Sequence, residues 1–200
     1  MKLHNYPDEF QELISVTAHE RHIPESAVRR DYYIVMMLEA LVDSPYGAQC
    51  VFKGGTSLSK CYPGSIERFS EDIDLTFLGM DLPDKECDKT IKKIETVMSA
   101  GAKTEKIGKE RFPRSKSMWV WFDNPAERVK LEIGSTVRPD PYSRKQVRTY
   151  IQEFLDTRGD TEAIMQFELS AVEINVLDIE RTFIDKLMAV RRHAICGTLN

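Results

Sequence analysis

No stretch of this chain is apolar enough to cross a bilayer. The longest apolar run covers only 32–38, far short of the roughly 20 residues a spanning helix needs. No apolar signal core follows Met1, so nothing there reads as a secretory leader. Cysteine is scarce as well: Cys50, Cys61, Cys87 and Cys196 form no Cys-x-x-Cys pair and have no zinc spacing with His4, His19, His22 or His193. That excludes a disulfide scaffold or a structural zinc site, and leaves small buried thiols in a reducing compartment. Positive charge is not in excess either. A net charge of -4 rules out an overall basic coat for nucleic acid but leaves room for local basic patches. No repeat or low-complexity linker divides the 200 residues, which are enough for one sizeable core with at most a small helical appendage. The expectation is a soluble, cytoplasmic protein with no membrane partner.

What is present centres on 52–78, FKGGTSLSKCYPGSIERFSEDIDLTFL. Residues 49–52 read as a short strand, Gly54 and Gly55 break it, and 56–62 fit one or two helical turns opened by a capping hydroxyl. Glycine lets a backbone approach an anion, and N–H groups at a helix start face it, so this is a candidate phosphate cradle. Asp72, Ile73, Asp74 and Leu75 continue as a second strand, in which residues two apart share a face. Both carboxylates therefore point one way and Ile73 and Leu75 point into the core. Two hard oxygen ligands beside a phosphate cradle suit Mg²⁺ bridging a nucleoside triphosphate. Each half alone has a plainer reading, as an ordinary turn and as a solvated strand face.

The joint order, strand, Gly-Gly, short helix, loop and Asp-x-Asp strand, resembles the active-site signature of the DNA polymerase β-like nucleotidyltransferases. More narrowly, FKGGTSLSK followed by ERFSEDIDL is similar to the first motif of the AbiEii nucleotidyl transferase toxins, the toxin half of type IV toxin–antitoxin and abortive-infection pairs. The interval from Gly55 to Asp72 is longer than in compact nucleotidyltransferases and usual in the AbiEii group. RRDYYIVMMLEAL at 29–41 resembles the helix before the Gly-Gly motif, where Lys-Asp-Tyr is common in place of Arg30-Asp31-Tyr32. VLDIERTFIDKLMAV at 176–190 resembles the group's last motif. The likeness runs from about residue 24 to residue 193.

Around these motifs, periodicity places helices over 7–20 and over 24–42, the second with a stripe of Val28, Tyr32, Val35, Met36, Leu38 and Val42. Asp31 is expected to order a basic side chain. An amphipathic helix covers 84–100, stopped by Gly101. Residues 103–116, KTEKIGKERFPRSK, read as a solvated hairpin or as a strand pair tracking a polyanion. Residues 117–122 alternate Met118, Val120 and Phe122 against Trp119 and Trp121, and 127–133 return antiparallel with Val129, Leu131 and Ile133 inward. A second basic cluster, SRKQVR at 143–148, leads into a helix through Val147, Tyr150, Ile151 and Phe154. Residues 167–177 have a period near two, with Leu169, Ala171, Glu173, Asn175 and Leu177 on one side. Asp178 caps a final helix whose Phe183, Ile184, Leu187 and Val190 are expected to pack inward. The fold class is therefore α+β, a nucleotidyltransferase fold with a small mixed sheet flanked by helices. Residues 1–48 supply N-terminal helices, 49–177 the core, and 178–200 a C-terminal helix that in family members is followed by further helices.

The resemblance implies a Mg²⁺-dependent enzyme, with Mn²⁺ as a substitute, that moves a nucleoside monophosphate from an NTP to a hydroxyl acceptor such as the 3′ end of tRNA or another RNA. A cognate antitoxin protein would restrain it. Asp72 and Asp74 would hold metal, and Glu132 in KLEIG fits the superfamily's third carboxylate, as metal ligand or base. The plainer reading of Glu132 is a surface pair with Lys130. Lys53, Gly54, Gly55, Thr56 and Ser57 would cradle phosphates, with Arg68, Ser70 and Arg181 as further nucleotide contacts. Lys186 would offset charge growing in the transition state, although Arg181 and Lys186 also fit a solvated helix face. The alternative is a non-catalytic nucleotide-binding or partner-binding module on the same fold.

Overall fold

A computed structural model describes residues 1–66, 71–108 and 112–196, with 192–196 by backbone alone. In chain order its elements are α1 (Pro7–Arg21), α2 (Glu25–Val42), β1 (Cys50–Lys53), α3 (Gly54–Cys61), β2 (Asp72–Phe77), α4 (Asp84–Met98), β3 (Lys103–Lys106), β4 (Ser115–Trp121), β5 (Val129–Gly134), β6 (Tyr142–Val147), α5 (Tyr150–Arg158), α6 (Thr161–Gln166), β7 (Val172–Leu177) and α7 (Ile179–Cys196). The strands form one sheet in the order β3-β4-β5-β2-β1-β7-β6. The pairs β2–β5 and β1–β7 are parallel and the others antiparallel. This is the expected mixed sheet with helical flanks.

The two faces of the sheet differ because the strands alternate. Phe52, Ile73, Leu75, Phe77, Met118, Val120, Leu131, Ile133, Ile174 and Val176 are buried together with Ile34, Leu38 and Leu41 of α2 and Ile91, Ile94 and Met98 of α4. Of the alternate positions, Asp72, Asp74, Lys130, Glu132, Trp119 and Trp121 are only partly covered, while Val51 and Thr76 are buried. A second core joins Phe10, Ile14 and Ala18 of α1 and Tyr32 of α2 to Ile151 and Leu155 of α5. One helix, α2, thus serves both cores, which fixes the N-terminal pair against the sheet.

Three expectations need correction. The cluster at 143–148 is an edge strand, β6, paired with β7 along its whole length. Val147 ends that strand, and Thr149, whose hydroxyl accepts from the Gln152 N–H, caps the helix after it. The strand near the C-terminus is shorter than 167–177 because α6 precedes it, and its inward residues are Val172, Ile174 and Val176. The apolar side chains of α7 do not pack inward. Phe183 is 64% exposed and Leu187 52%. The helix leaves the sheet at the end of β7, and beyond the buried Thr182 its positions to Arg191 are exposed. Helical periodicity marks an apolar stripe but does not supply a neighbour for it. Among the described residues, no helix is long and apolar enough to cross a membrane.

Candidate functional site

The site is built where β1 runs directly into α3. Lys53 closes the strand and Gly54 opens the helix with no intervening loop and no side chain capping the first turn. Gly54 has φ +83°, and a Cβ added there would lie 2.1 Å from Asp74 Oδ2. Only a residue without a side chain lets this turn pass so close to the carboxylate. Thr56 and Ser57 are buried. The Thr56 hydroxyl donates to the Asp72 carbonyl, and the Ser57 hydroxyl donates to the Gly54 carbonyl at 3.0 Å. The Thr56 hydroxyl thus holds the turn against β2 and the Ser57 hydroxyl braces the first turn of α3 itself, and the helix starts earlier than the capping hydroxyl expected at Thr56.

Sheet register brings the carboxylates together. Asp74 stands opposite Lys53 on β1 and opposite Glu132 on β5, and Asp72 stands opposite Lys130. Neighbouring strands lie about 4.8 Å apart, so directly opposed side chains on one face meet. Lys130 Nζ lies 2.8 Å from Glu132 Oε1, and the Ser117 hydroxyl donates to the same oxygen at 3.2 Å. Burial, then a hydrogen bond with Glu132, lifts the Asp74 carboxyl from 3.8 to about 6, against the pull of Lys53. Burial acts upward on Glu132 too, but Lys130, Asp74 and Ser117 together hold it below the usual carboxylate range. Of the two, Asp74 is therefore the carboxyl that holds its proton to the higher pH and Glu132 the one that ionises first.

Two acids sharing a proton inside a partly buried site form an arrangement that a divalent cation can occupy in the proton's place. Among the described residues, no three His, Cys, Asp or Glu side chains form a ready cage. Mg²⁺ takes one or two carboxylates and completes its shell with water and substrate phosphate, so it does not require such a cage. The donor set here, Asp72, Asp74 and Glu132, is all hard oxygen and fits such an ion.

Behind the cradle, Asp31 of α2 forms an ion pair with Lys60 of α3, the basic partner expected for it. The Tyr150 N–H donates to Asp31 Oδ2 at 2.6 Å, and Lys60 Nζ also donates to the Arg148 carbonyl at 2.8 Å. Lys60 lies 3.7 Å from the centroid of the Tyr150 ring. This network locks α3 to α2 and α5.

Not every expected residue joins the site. The Arg181 guanidinium donates to the Asp140 carbonyl at 2.6 Å and to Asp185 at 3.0 Å. Lys186 lies on the exposed part of α7, with no described contact to the carboxylates. Arg68 and Ser70 lie outside the described residues. Gly55 occupies the first turn of α3 beside Gly54. Sequence reasoning missed Lys60 and Ser117 as parts of the assembly, and it gave the Lys130–Glu132 pair, which the structure contains, only as the plainer alternative to a site role for Glu132. For Ser117 the signal was there, since it sits at an outward position of β4, directly opposite Glu132. Lys60 gave none, because its partners lie far away in sequence.

The family model for the nucleotidyl transferase AbiEii toxin of type IV toxin–antitoxin systems matches residues 37–194. Among solved structures, MenT4, a nucleotidyltransferase toxin from Mycobacterium tuberculosis, superposes with a TM-score of 0.62 at 20% identity, over 90% of this chain and 59% of that one. JHP933 from Helicobacter pylori aligns less well, with a TM-score of 0.47 at 17% identity, over 82% and 57% of the two chains. The chain thus spans somewhat more than half the length of these proteins, and no curated protein matches its sequence. With four fifths of its length inside the family model and the family's Gly-Gly turn lying against its Asp-x-Asp strand, the chain belongs to the AbiEii nucleotidyl transferase toxin family.

Proposed function

We propose that this chain transfers a nucleoside monophosphate from an NTP to a hydroxyl at the 3′ end of an RNA, tRNA being the favoured acceptor, in a Mg²⁺-dependent reaction that a cognate antitoxin restrains in the cytoplasm. The observation that carries this reading is the register that puts Asp74 between Gly54 and Glu132 on one sheet face, with Asp72 two residues away. The first turn of α3 offers backbone N–H groups to the triphosphate, and Lys53 adds a positive charge on the same side. Asp72 and Asp74 would hold the metal that neutralises phosphate charge and lowers the pKa of the attacking hydroxyl. Glu132, ionised and positioned by Lys130 and Ser117, accepts that hydroxyl's proton. The acceptor oxygen forms a bond to the α-phosphorus, the bond from that phosphorus to the bridging oxygen breaks, and pyrophosphate leaves with the electron pair.

Arg181 and Lys186 are proposed as outer phosphate contacts, reached only if substrate draws α7 toward the cradle, and Arg68 and Ser70 as contacts from the segment before β2. The test is incubation with labelled NTPs, Mg²⁺ and total RNA, comparing the wild type with Asp72→Ala. Label appearing in RNA with the wild type alone supports the reading. Equal labelling by both proteins removes Asp72 from the chemistry. NTP binding without any labelling turns the reading to a nucleotide-binding module.

A further inference from the structure

The chain has two tryptophans, and neither lies in the core. Trp119 and Trp121 are half-buried on the outer sheet face, the face of the three carboxylates. Register sets Trp119 in one row with the site: Asp72 is opposite Lys130, Lys130 is opposite Trp119, and Trp119 is opposite Glu105. At about 4.8 Å per strand, Trp119 is roughly 10 Å from Asp72. Trp121 stands opposite Lys103 in the next row on this face. Among the described residues, neither indole N–H has a hydrogen-bond partner. Large aromatic surface left outside a core, continuous with a reaction site and edged by cations, is what a stacked nucleobase needs.

We propose that Trp119 is the stacking platform for the terminal nucleobase of the acceptor strand. This rests on the transferase reading above. In-line displacement puts the attacking oxygen opposite the departing pyrophosphate. The cradle at Gly54 lies on the β1 side of the carboxylates, so pyrophosphate leaves there. The acceptor then approaches over β5, where Glu132 takes its proton, and its base falls over β4, where Trp119 stands. The cations suit a polyanion's backbone: Lys103 is exposed, and Lys130 lies between Asp72 and Trp119. Arg128 lies with its guanidinium 4.2 Å from the Trp119 ring centroid. It is 45% exposed and 3.8 Å from Glu105, so it can swing to a phosphate and release the ring face, or itself stack on the base.

The tryptophans supply their own readout. In Trp121→Phe the only indole is Trp119, and its fluorescence is titrated with a short single-stranded oligoribonucleotide bearing a free 3′ hydroxyl, with the same oligonucleotide made abasic at its last position, and with NTP. The proposal expects quenching by the first and much less by the second. Trp119→Ala should weaken the oligonucleotide about ten-fold to a hundred-fold, the range of base–aromatic stacking, while NTP affinity by calorimetry stays at the wild-type value. Trp119→Phe should recover most of the loss, which separates stacking from misfolding. Equal quenching by the abasic strand, unchanged RNA affinity in Trp119→Ala, or quenching by NTP alone overturns the proposal. A wild-type protein that binds no NTP overturns the transferase reading itself, whatever the RNA does.

Discussion

Lys60 and Asp31 form an ion pair whose side chains are 3% and 5% exposed, and it ties the helix of the cradle to the longest helix of the N-terminal pair. Burial drives the Asp31 carboxyl upward while Lys60 and the Tyr150 N–H pull it down. A charge this deep is tolerable only with its partner. Lys60→Met should therefore cost about 3–5 kcal/mol of stability, measured by denaturant unfolding, because it strands Asp31. The double replacement Asp31→Leu with Lys60→Met should recover much of that loss, yet still bind NTP more weakly because α3 is no longer pinned. Equal stability of the single variant and the wild type would mean the pair does not hold α3.

A second expectation concerns Gly54. Alanine there meets both a positive φ and the Asp74 carboxylate, whereas Gly64 has φ +77° with nothing within 4 Å of an added Cβ. Gly64→Ala should cost only the backbone term, about 1–2 kcal/mol. Gly54→Ala should exceed it and lower transfer by at least an order of magnitude, since it displaces Asp74, a proposed metal ligand. Thermal unfolding and the labelling assay together read both effects. Similar behaviour of the two variants would show that the close approach at Gly54 is not needed.

The shared proton predicts a pH dependence of the metal-free protein. Asp74 titrates at about 6 in the fold against 3.8 ordinarily, so the native state binds more protons than the unfolded chain between those values. Stability from this group is present below about 3.8 and falls as pH rises through about 6, by on the order of 1–3 kcal/mol. Glu132, held low, acts oppositely: its contribution is present above the ordinary glutamate value and lost as pH falls through its lowered one. In chelator the unfolding midpoint should decline from about pH 4 to pH 7, and Mg²⁺ should flatten the decline by replacing the proton. Identical profiles with and without Mg²⁺ would remove the metal from this pair.

The fourth expectation is electrostatic. Arg144 and Arg148 lie 3.4 Å from Glu173 and 3.7 Å from Asp156, all of them substantially exposed, and Lys145 lies over Tyr62. Such surface pairs contribute little to stability, so these cations remain available to phosphates. Reversing Arg144, Lys145 and Arg148 to glutamate should leave the unfolding midpoint nearly unchanged while weakening RNA of any sequence. The log–log salt slope should shrink by roughly 0.7 per lost contact. NTP affinity should barely move. RNA binding indifferent to salt would point the acceptor away from nucleic acid.

What the sequence disclosed follows from which patterns are local. Asp72 and Asp74 flank Ile73 in a strand, and a period of two sets them on one face whatever the surroundings. Glu132 could be read the same way, because Val129, Leu131 and Ile133 mark the opposite face of β5. The partner of Asp31 was expected to be basic, but its identity depends on how α2 and α3 cross, which no short window contains. At α7 the pattern of Phe183, Ile184, Leu187 and Val190 is that of a packed helix, and only the path of the chain after Leu177 leaves it bare. At 143–148 strand and helix could not be told apart by composition. The edge position beside β7 decided for the strand.

The strand order also decides how the molecule comes apart. Asp72 and Asp74 sit on β2, the fourth of seven strands, with the Glu132 strand β5 on one side and the Lys53 strand β1 on the other, so the carboxylates cannot separate unless the sheet opens at its middle. At the rim, β3 is exposed at all four positions and can peel away by sub-global opening at little cost. Amide exchange should therefore report two tiers, a slow one at Asp74 and Glu132 that a bound ion slows further, and a fast one at 103–106 that the ion leaves untouched.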